Sequence, residues 1–424
     1  MMEYTKKDLA SYNLHLIQTD RFKTITIQVV FHSPIIKEEI TTRNILSDIL
    51  LQSSKKYENR RSLTIQSEDL YAVDIMSNTQ RVGNYIFTSF TMQSLNDNYT
   101  EEGNLSKAVE FLSEIIFNPD VSNDKFKKDN LEIVKNNANV AFDSLKENAG
   151  MYSLIKMLEA YDENSPVSYR THGYKEDLDK IDTSNLYDYY KKMITDDLVD
   201  IFVVGDFSIK EMTAIIKKYF KFRKIKKRKN DYILDCKKCR SKKLIVNEQI
   251  NNSQSKLSIA APITDMTEYE RNYPLVLGNI ILGGSPESKL FREVREANSL
   301  CYTIRSIPNK LDNLLVITAG IDKDNYDKTV SLINDILKDM KKGKFSDKDI
   351  NKAKEMYNAS VEELEENEYR IINEYLFSDI LGLEPLPERV KKMNKVTKHQ
   401  IVRMCKKINI DTIFLLEGVK HEED

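Results

Sequence analysis

The 424-residue sequence contains no tryptophan, only 12 glycines and 9 prolines, and 4 cysteines. So few chain breakers exclude collagen-like, low-complexity and linker-dominated classes and leave a chain that is mostly regular structure. Four cysteines over this length make no disulfide framework, which agrees with a reducing compartment. No window approaches the ~20 consecutive apolar residues that a membrane-spanning helix needs, and the first stretch, MMEYTKKDLASYN, lacks the apolar core of a secretion signal. The expected location is therefore the cytoplasm, without membrane contact. An excess of charge of one sign is missing as well. Lys plus Arg number 64 and Asp plus Glu 66, so the net charge of −2 offers no global field for nucleic acid.

The length is ample for ~2–4 domains, and an internal repeat divides it. LSDILLQSS at 46–54 resembles LGNIILGGS at 277–285, with Leu46 over Leu277 and Ile49 over Ile280. DNY at 97–99 recurs at 324–326, each time before an apolar helical stretch. Ser122, ahead of an amphipathic run from Phe126, matches Ser346 ahead of one from Ile350, and IFVVGD at 201–206 matches IFLLEG at 413–418. The matches stay in order while the offset contracts, as two copies with shorter loops in the second would give.

Within each copy, strand and helix periods alternate. Ile25, Ile27, Val29 and Phe31 alternate with other residues in a strand pattern whose counterpart is KLSIAAP at 256–262. Helices are expected over about 42–51 and 269–282, the second stopped by Gly283-Gly284. Strands are expected in YIFTSFTM at 85–92 and NLLVITAGI at 313–321, and long helices over 124–162 and 347–381. A Ser346-x-x-Asp349 capping box opens the last of these. The predicted fold is α+β: two homologous domains, each a mostly antiparallel or mixed β-sheet with helices packed on one face. The domains are 1–222 and 244–424, joined by a basic linker at 223–243.

The linker's basic run has no interleaved stacking aromatics, so it is expected to be a solvated connector. Cys236 and Cys239 stand at redox or zinc-knuckle spacing. With no second Cys or His pair nearby they supply half a zinc site, and no helix N-terminus acidifies a thiol there. Cys301 and Cys405 stand alone and are expected to be packing or surface thiols.

The segment Leu282 to Ser306, LGGSPESKLFREVREANSLCYTIRS, combines a Gly-rich helix stop, S-x-L-F, an R-E pair and L-x-Y entering a strand. It resembles the second-domain signature of the pitrilysin/insulinase family of zinc peptidases. Val203-Val204-Gly205-Asp206, the THG segment at 171–173 and the duplication extend the resemblance from about residue 20 to 420. The resemblance implies chains of two homologous α+β domains, and dimers that enclose a peptide-sized chamber. It also implies an inverted zinc motif, H-x-x-E-H, in the first helix of the first copy: two His bind the metal and the Glu activates its water. The repeat puts that motif on Asn44-Ile45-Leu46-Ser47-Asp48, where Asn44, Ser47 and Asp48 replace the required residues. Where a downstream helix should add a further Glu ligand, 126–137 offers Asp129 and Asn136 beside Glu132. The five histidines, 15, 32, 172, 399 and 421, include no pair at ligand spacing and are expected to be surface or packing residues. No metal or other cofactor is expected in this chain; zinc would belong to a partner subunit.

Two groups of the family pattern persist, Arg295 and Tyr302, seven residues apart. In the family pattern they are substrate-binding and transition-state groups: Arg presents a fork of donors to a substrate carbonyl, and Tyr a phenolic donor to the oxyanion. The plainer alternative is that Arg295 pairs with a Glu on its own helix and Tyr302 packs at a strand start. The resemblance implies a non-catalytic, peptide-binding subunit, inactive alone, that joins a zinc-bearing homologue as a heterodimer, or else pairs with itself, to process an extended peptide. The rival is a non-enzymatic peptide-binding or scaffold protein, or a homodimer without proteolysis.

Overall fold

A computed structural model describes residues 2–223, 231–234 and 239–419; Cys236, His421 and much of the basic linker lie outside the described residues. The first half of the chain forms strands β1 (Glu3–Asp8), β2 (Asn13–Gln18), β3 (Thr24–Pro34), β4 (Asp74–Val82) and β5 (Tyr85–Leu95). A small hairpin of β6 (Val121–Ser122) and β7 (Lys125–Phe126) follows, then β8 (Leu198–Gly205). Its helices are α1 (Ile40–Ile49), α2 (Arg60–Asp69), α3 (Asn104–Phe117), α4 (Lys128–Asp143), α5 (Ala149–Asp162), α6 (Thr183–Asp196) and α7 (Ile209–Tyr219). The second half supplies β9 (Leu244–Asn251), β10 (Ser255–Pro262), β11 (Cys301–Asn309), β12 (Leu314–Ile321) and β13 (Thr412–Val419). Its helices are α8 (Glu268–Asn272), α9 (Pro274–Leu282), α10 (Tyr326–Lys341), α11 (Asp347–Leu364), α12 (Glu368–Leu381), α13 (Leu386–Asn394) and α14 (Lys398–Cys405).

The duplication is visible in the sheet topology. One sheet runs β1-β2-β8-β3-β5-β4 and the other, read from the matching end, β9-β13-β10-β12-β11. In both, the strand that begins the repeat pairs parallel with the last strand, β2 with β8 and β9 with β13, and the remaining neighbours are antiparallel. Among the described residues the second sheet shows no counterpart of β1. The fold is thus α+β with two homologous mixed sheets.

The long helices expected over 124–162 and 347–381 are each broken in two. Asn148 ends the first break by accepting the Met151 amide, and Asn367 ends the second by accepting the Arg370 amide, both acting as N-caps. The helix expected over 269–282 is likewise divided, between α8 and α9, where Pro274 supplies no amide to continue the ladder. The chain divides into two compact units, one of Met1–Asp143, Arg170–Asp231 and Leu364–Phe377, the other of Ser144–Tyr169, Tyr232–Glu363 and Ser378–Asp424. Each unit takes a helical segment from the other half of the sequence, and the breaks between α4 and α5 and between α11 and α12 are where the chain changes unit.

In the first unit, Ile25, Ile27, Val29 and Phe31 of β3 and Ile201 and Val203 of β8 pack against Leu46 and Ile49 of α1 and Leu112 and Ile116 of α3. The period-two pattern selects this face, and burying each such side chain contributes roughly 1.5–3 kcal/mol. The second unit repeats the layer with Leu257 and Ile259 against Leu277, Ile281, Ile333 and Ile336. One borrowed helix covers the opposite face of each sheet. In the second unit, Tyr152, Met157 and Tyr161 of α5 meet Ala260, Phe414 and Leu416. In the first, Glu368 of α12 accepts from the Thr24 hydroxyl at 2.5 Å and the Gln93 amide at 2.8 Å, while Tyr375 stacks on Tyr4 at 4.4 Å. Among the described residues no helix is long and apolar enough to cross a membrane.

Candidate functional site

Helix α1 carries Asn44, Ser47 and Asp48 at the i, i+3, i+4 spacing that puts side chains on one helix face. Two of the three are committed to the main chain. The Asn44 amide donates to the Ile40 and Thr171 carbonyls, each at 2.9 Å, and the Ser47 hydroxyl donates to the Asn44 carbonyl at 2.8 Å. Asp48 is exposed, but the surrounding protein pushes its carboxyl up, with His172 and the Ser77 hydroxyl pulling it back. On α4, Asp129, Glu132 and Asn136 are all exposed. One carboxylate, with the neighbouring amide and hydroxyl spent on carbonyls, does not fit the donor set that zinc requires at this helix.

The THG segment closes over α1. The Tyr174 amide donates to the Thr41 hydroxyl at 2.9 Å, and that hydroxyl donates to Asp177 at 3.1 Å. Gly173 has φ +86°, and a Cβ there would stand 2.3 Å from Thr41 Oγ1 and 2.7 Å from Thr41 Cα. Glycine is required on both counts. Gly173→Ala is expected to cost roughly 2–4 kcal/mol, from left-handed strain plus overpacking. A urea midpoint indistinguishable from wild type would show that the segment yields freely.

The second unit holds Arg295 and Tyr302. Arg295 lies on a π-helical turn, Phe291–Ala297, a rare geometry often found at functional sites. Its guanidinium sits over the Phe291 ring, 4.6 Å from the centroid, and it makes no ion pair among the described residues; Glu293 is taken by Lys289 at 2.7 Å. Tyr302 is 56% exposed on β11, an edge strand, and a bulge between Cys301 and Thr303 re-aims the chain there. Its hydroxyl donates to Asp322 at a long 3.4 Å to either oxygen. Burial pushes the thiol of Cys301, next in sequence to Tyr302, up to about 11 against the opposing charge of Arg295.

The chain also contains a buried polar cluster that spacing did not reveal. Asp200 on β8 receives the His15 Nε2–H at 3.0 Å, the Asn13 amide at 2.8 Å and the His32 Nε2–H at 2.7 Å. The Tyr4 hydroxyl donates to His15 Nδ1 at 2.8 Å, which leaves both imidazole nitrogens engaged. Burial pushes the Asp200 carboxyl up, but the hydrogen bonds from His15 and His32 overcome it, holding the group well below the usual carboxylate range. A charged residue within VDIFVV, and histidines within NLHLIQ and VVFHS, were the available signal: polar groups on otherwise apolar central strands.

Two duplicated α+β units, a first helix stripped of its metal donors and a retained Arg/Tyr signature define a peptidase-like protein without the zinc motif. Residues 180–357 match the family described as "Peptidase M16 inactive domain". A relative from Bacillus subtilis (strain 168), "Probable inactive metalloprotease YmfF", is 27% identical, with 96% of each chain covered. The crystal structure of a conserved protein from Enterococcus faecalis V583 is 27% identical, with a TM-score of 0.90 over 99% of this chain and 100% of that one. A Pseudomonas fluorescens M16 inactive domain shares the fold, with a TM-score of 0.80 at 17% identity over 99% of this chain and 100% of that one. The chain is thus similar over nearly its whole length to M16 peptidase-like proteins described as inactive, and it carries that family's inactive-domain pattern over residues 180–357.

Proposed function

We propose that this chain is the non-catalytic subunit of a two-chain peptidase, cytoplasmic, and paired with a zinc-bearing homologue. The observation that carries this reading is the contrast between its two signatures. Asn44 and Ser47 of α1 have turned their polar groups to the main chain, whereas Arg295 and Tyr302 keep theirs toward solvent. Groups without a metal have no structural reason to stay exposed at family spacing unless a second chain brings the reacting centre to them. The zinc and its water would belong to the partner. This chain's part would be binding and positioning, Arg295 donating to a peptide carbonyl and Tyr302 to the oxyanion that develops from it. The substrate class is an extended peptide, added as a strand to an open sheet edge. β11 is such an edge, so a peptide lying along it would pass the Tyr302 hydroxyl.

The test mixes the purified chain with the zinc-bearing homologue and follows cleavage of an unfolded peptide. Arg295→Ala combined with Tyr302→Phe is expected to reduce turnover by about 10²–10³-fold, the usual loss for removed oxyanion donors. Both side chains are exposed, so the far-UV spectrum should not change. Equal cleavage by wild type and variant would end the complementation model.

A further inference from the structure

Each sheet has two edges. Both edges of the first are guarded: β1 carries Glu3, Lys6, Lys7 and Asp8, and β4 carries Asp74 and Arg81. In the second, β11 is the edge proposed to take the peptide. Charges, bulges and proline are the devices that stop an edge from recruiting another strand. β9 has no bulge and no proline, and its one charge is already engaged. Its eight residues, LIVNEQIN, run in unbroken register with β13, contain no proline or lysine, and leave Ile245 57% exposed. The single charge, Glu248, is held at 2.5 Å by the Tyr152 hydroxyl of α5. Among the described residues, no strand pairs with the outer edge of β9.

The duplication shows what such an edge accommodates. β9 corresponds to β2, and in the first unit β1 lies antiparallel along β2 over six residue pairs. Among the described residues no strand takes that position in the second unit. The parity of β9 fixes which groups are open. Leu244 donates its amide to the Asp411 carbonyl, toward β13, so Ile245, Asn247, Gln249 and Asn251 direct N–H and C=O outward.

We infer that the β9 edge joins two copies of this chain, the β9 strands pairing antiparallel about a two-fold axis at Asn247. Self-pairing satisfies what is exposed. With Asn247 opposite its copy, Ile245 faces Gln249, and both pairs exchange hydrogen bonds between outward-directed groups. Glu248 then faces Val246, so no like charges stand opposite; a shift that centres on Glu248 would set the two carboxylates against each other. Ile245 is covered in the same step. An unguarded β-branched edge calls for an occupant present whenever the chain is folded, and a second copy is one.

Sedimentation of the full chain tests this. Wild type should run at twice the chain mass. Asn247→Pro removes an outward amide and no bond of the β13 ladder, and Ile245→Lys places a charge on the edge; each should run as a folded monomer with an unchanged far-UV spectrum and a thermal midpoint no longer dependent on concentration. Arg295→Ala with Tyr302→Phe should remain dimeric, since that site is separate. A wild-type chain that stays monomeric up to its solubility limit would overturn the inference, as would dimers that survive both β9 substitutions.

Discussion

Arg43→Ala should lower the stability of the chain by about 3–5 kcal/mol, the cost of leaving a buried charge without its partner. Arg43 precedes Asn44 on α1 and is 1% exposed. Its Nη2 donates to Asp197 at 2.5 Å and to the Phe31 carbonyl at 3.2 Å, its Nε to the Thr88 hydroxyl at 2.7 Å, and its Nη1 to the Ser33 hydroxyl at 3.1 Å. One side chain thereby ties α1 to β3, β5 and the end of α6. Removing it strands the Asp197 carboxylate in a site 3% exposed and opens a cavity under the helix. The double variant with Asp197→Ala should cost less than the sum of the singles, because no charge is then left unpaired. Urea denaturation of the four chains gives the cycle. Additive losses would mean that packing, not the ion pair, holds α1.

Asp200→Ala should be about as damaging, roughly 3–5 kcal/mol, because it leaves buried His15 and His32 donors without an acceptor. Asp200→Asn should cost less, since the amide oxygen still accepts from one imidazole and the other can change tautomer. The two substitutions differ further in acid. The folded Asp200 carboxyl titrates below its unfolded counterpart, so its stabilisation is complete above the unfolded value of ~3.9 and is lost as pH falls through that value toward the lower folded one. Wild type should therefore lose stability more steeply below about pH 4 than Asp200→Asn, which has no carboxyl to protonate at this position. Parallel acid profiles for the two proteins would show that Asp200 does not set this dependence.

Much of the architecture was legible in the sequence because it is written in short-range patterns. Ile25, Ile27, Val29 and Phe31 alternate with the pleat, and they do face the core of α1 and α3. The Ser346/Asp349 box forms as its spacing requires, with the Asp349 amide donating to Ser346 at 3.2 Å and the Ser346 amide to Asp349 at 2.8 Å. Helix boundaries were less legible. α4 and α5 read as one helix because the break at 144–148 has no glycine or proline, only a capping Asn148. The bulge at Tyr302 and the π-helical turn under Arg295 left no mark either, since each depends on how β11 meets β12 and on packing around Val294.

The sequence by itself determined the duplication and the α+β class, and it placed Asn44, Ser47 and Asp48 where the resemblance implies a zinc motif, and Arg295 and Tyr302 where it implies a substrate-binding pair. Each rests on residue identity at a position or on a period within one element. Tertiary structure alone decided which sheet each borrowed helix covers, that His15, His32 and Asp200 converge, and that among the described residues β9 has no neighbour where β2 has β1. Those outcomes depend on residues 168 and 185 positions apart meeting across strands. The physical reason is that local periodicity sets which face of an element is apolar, while strand order and register set what lies opposite it.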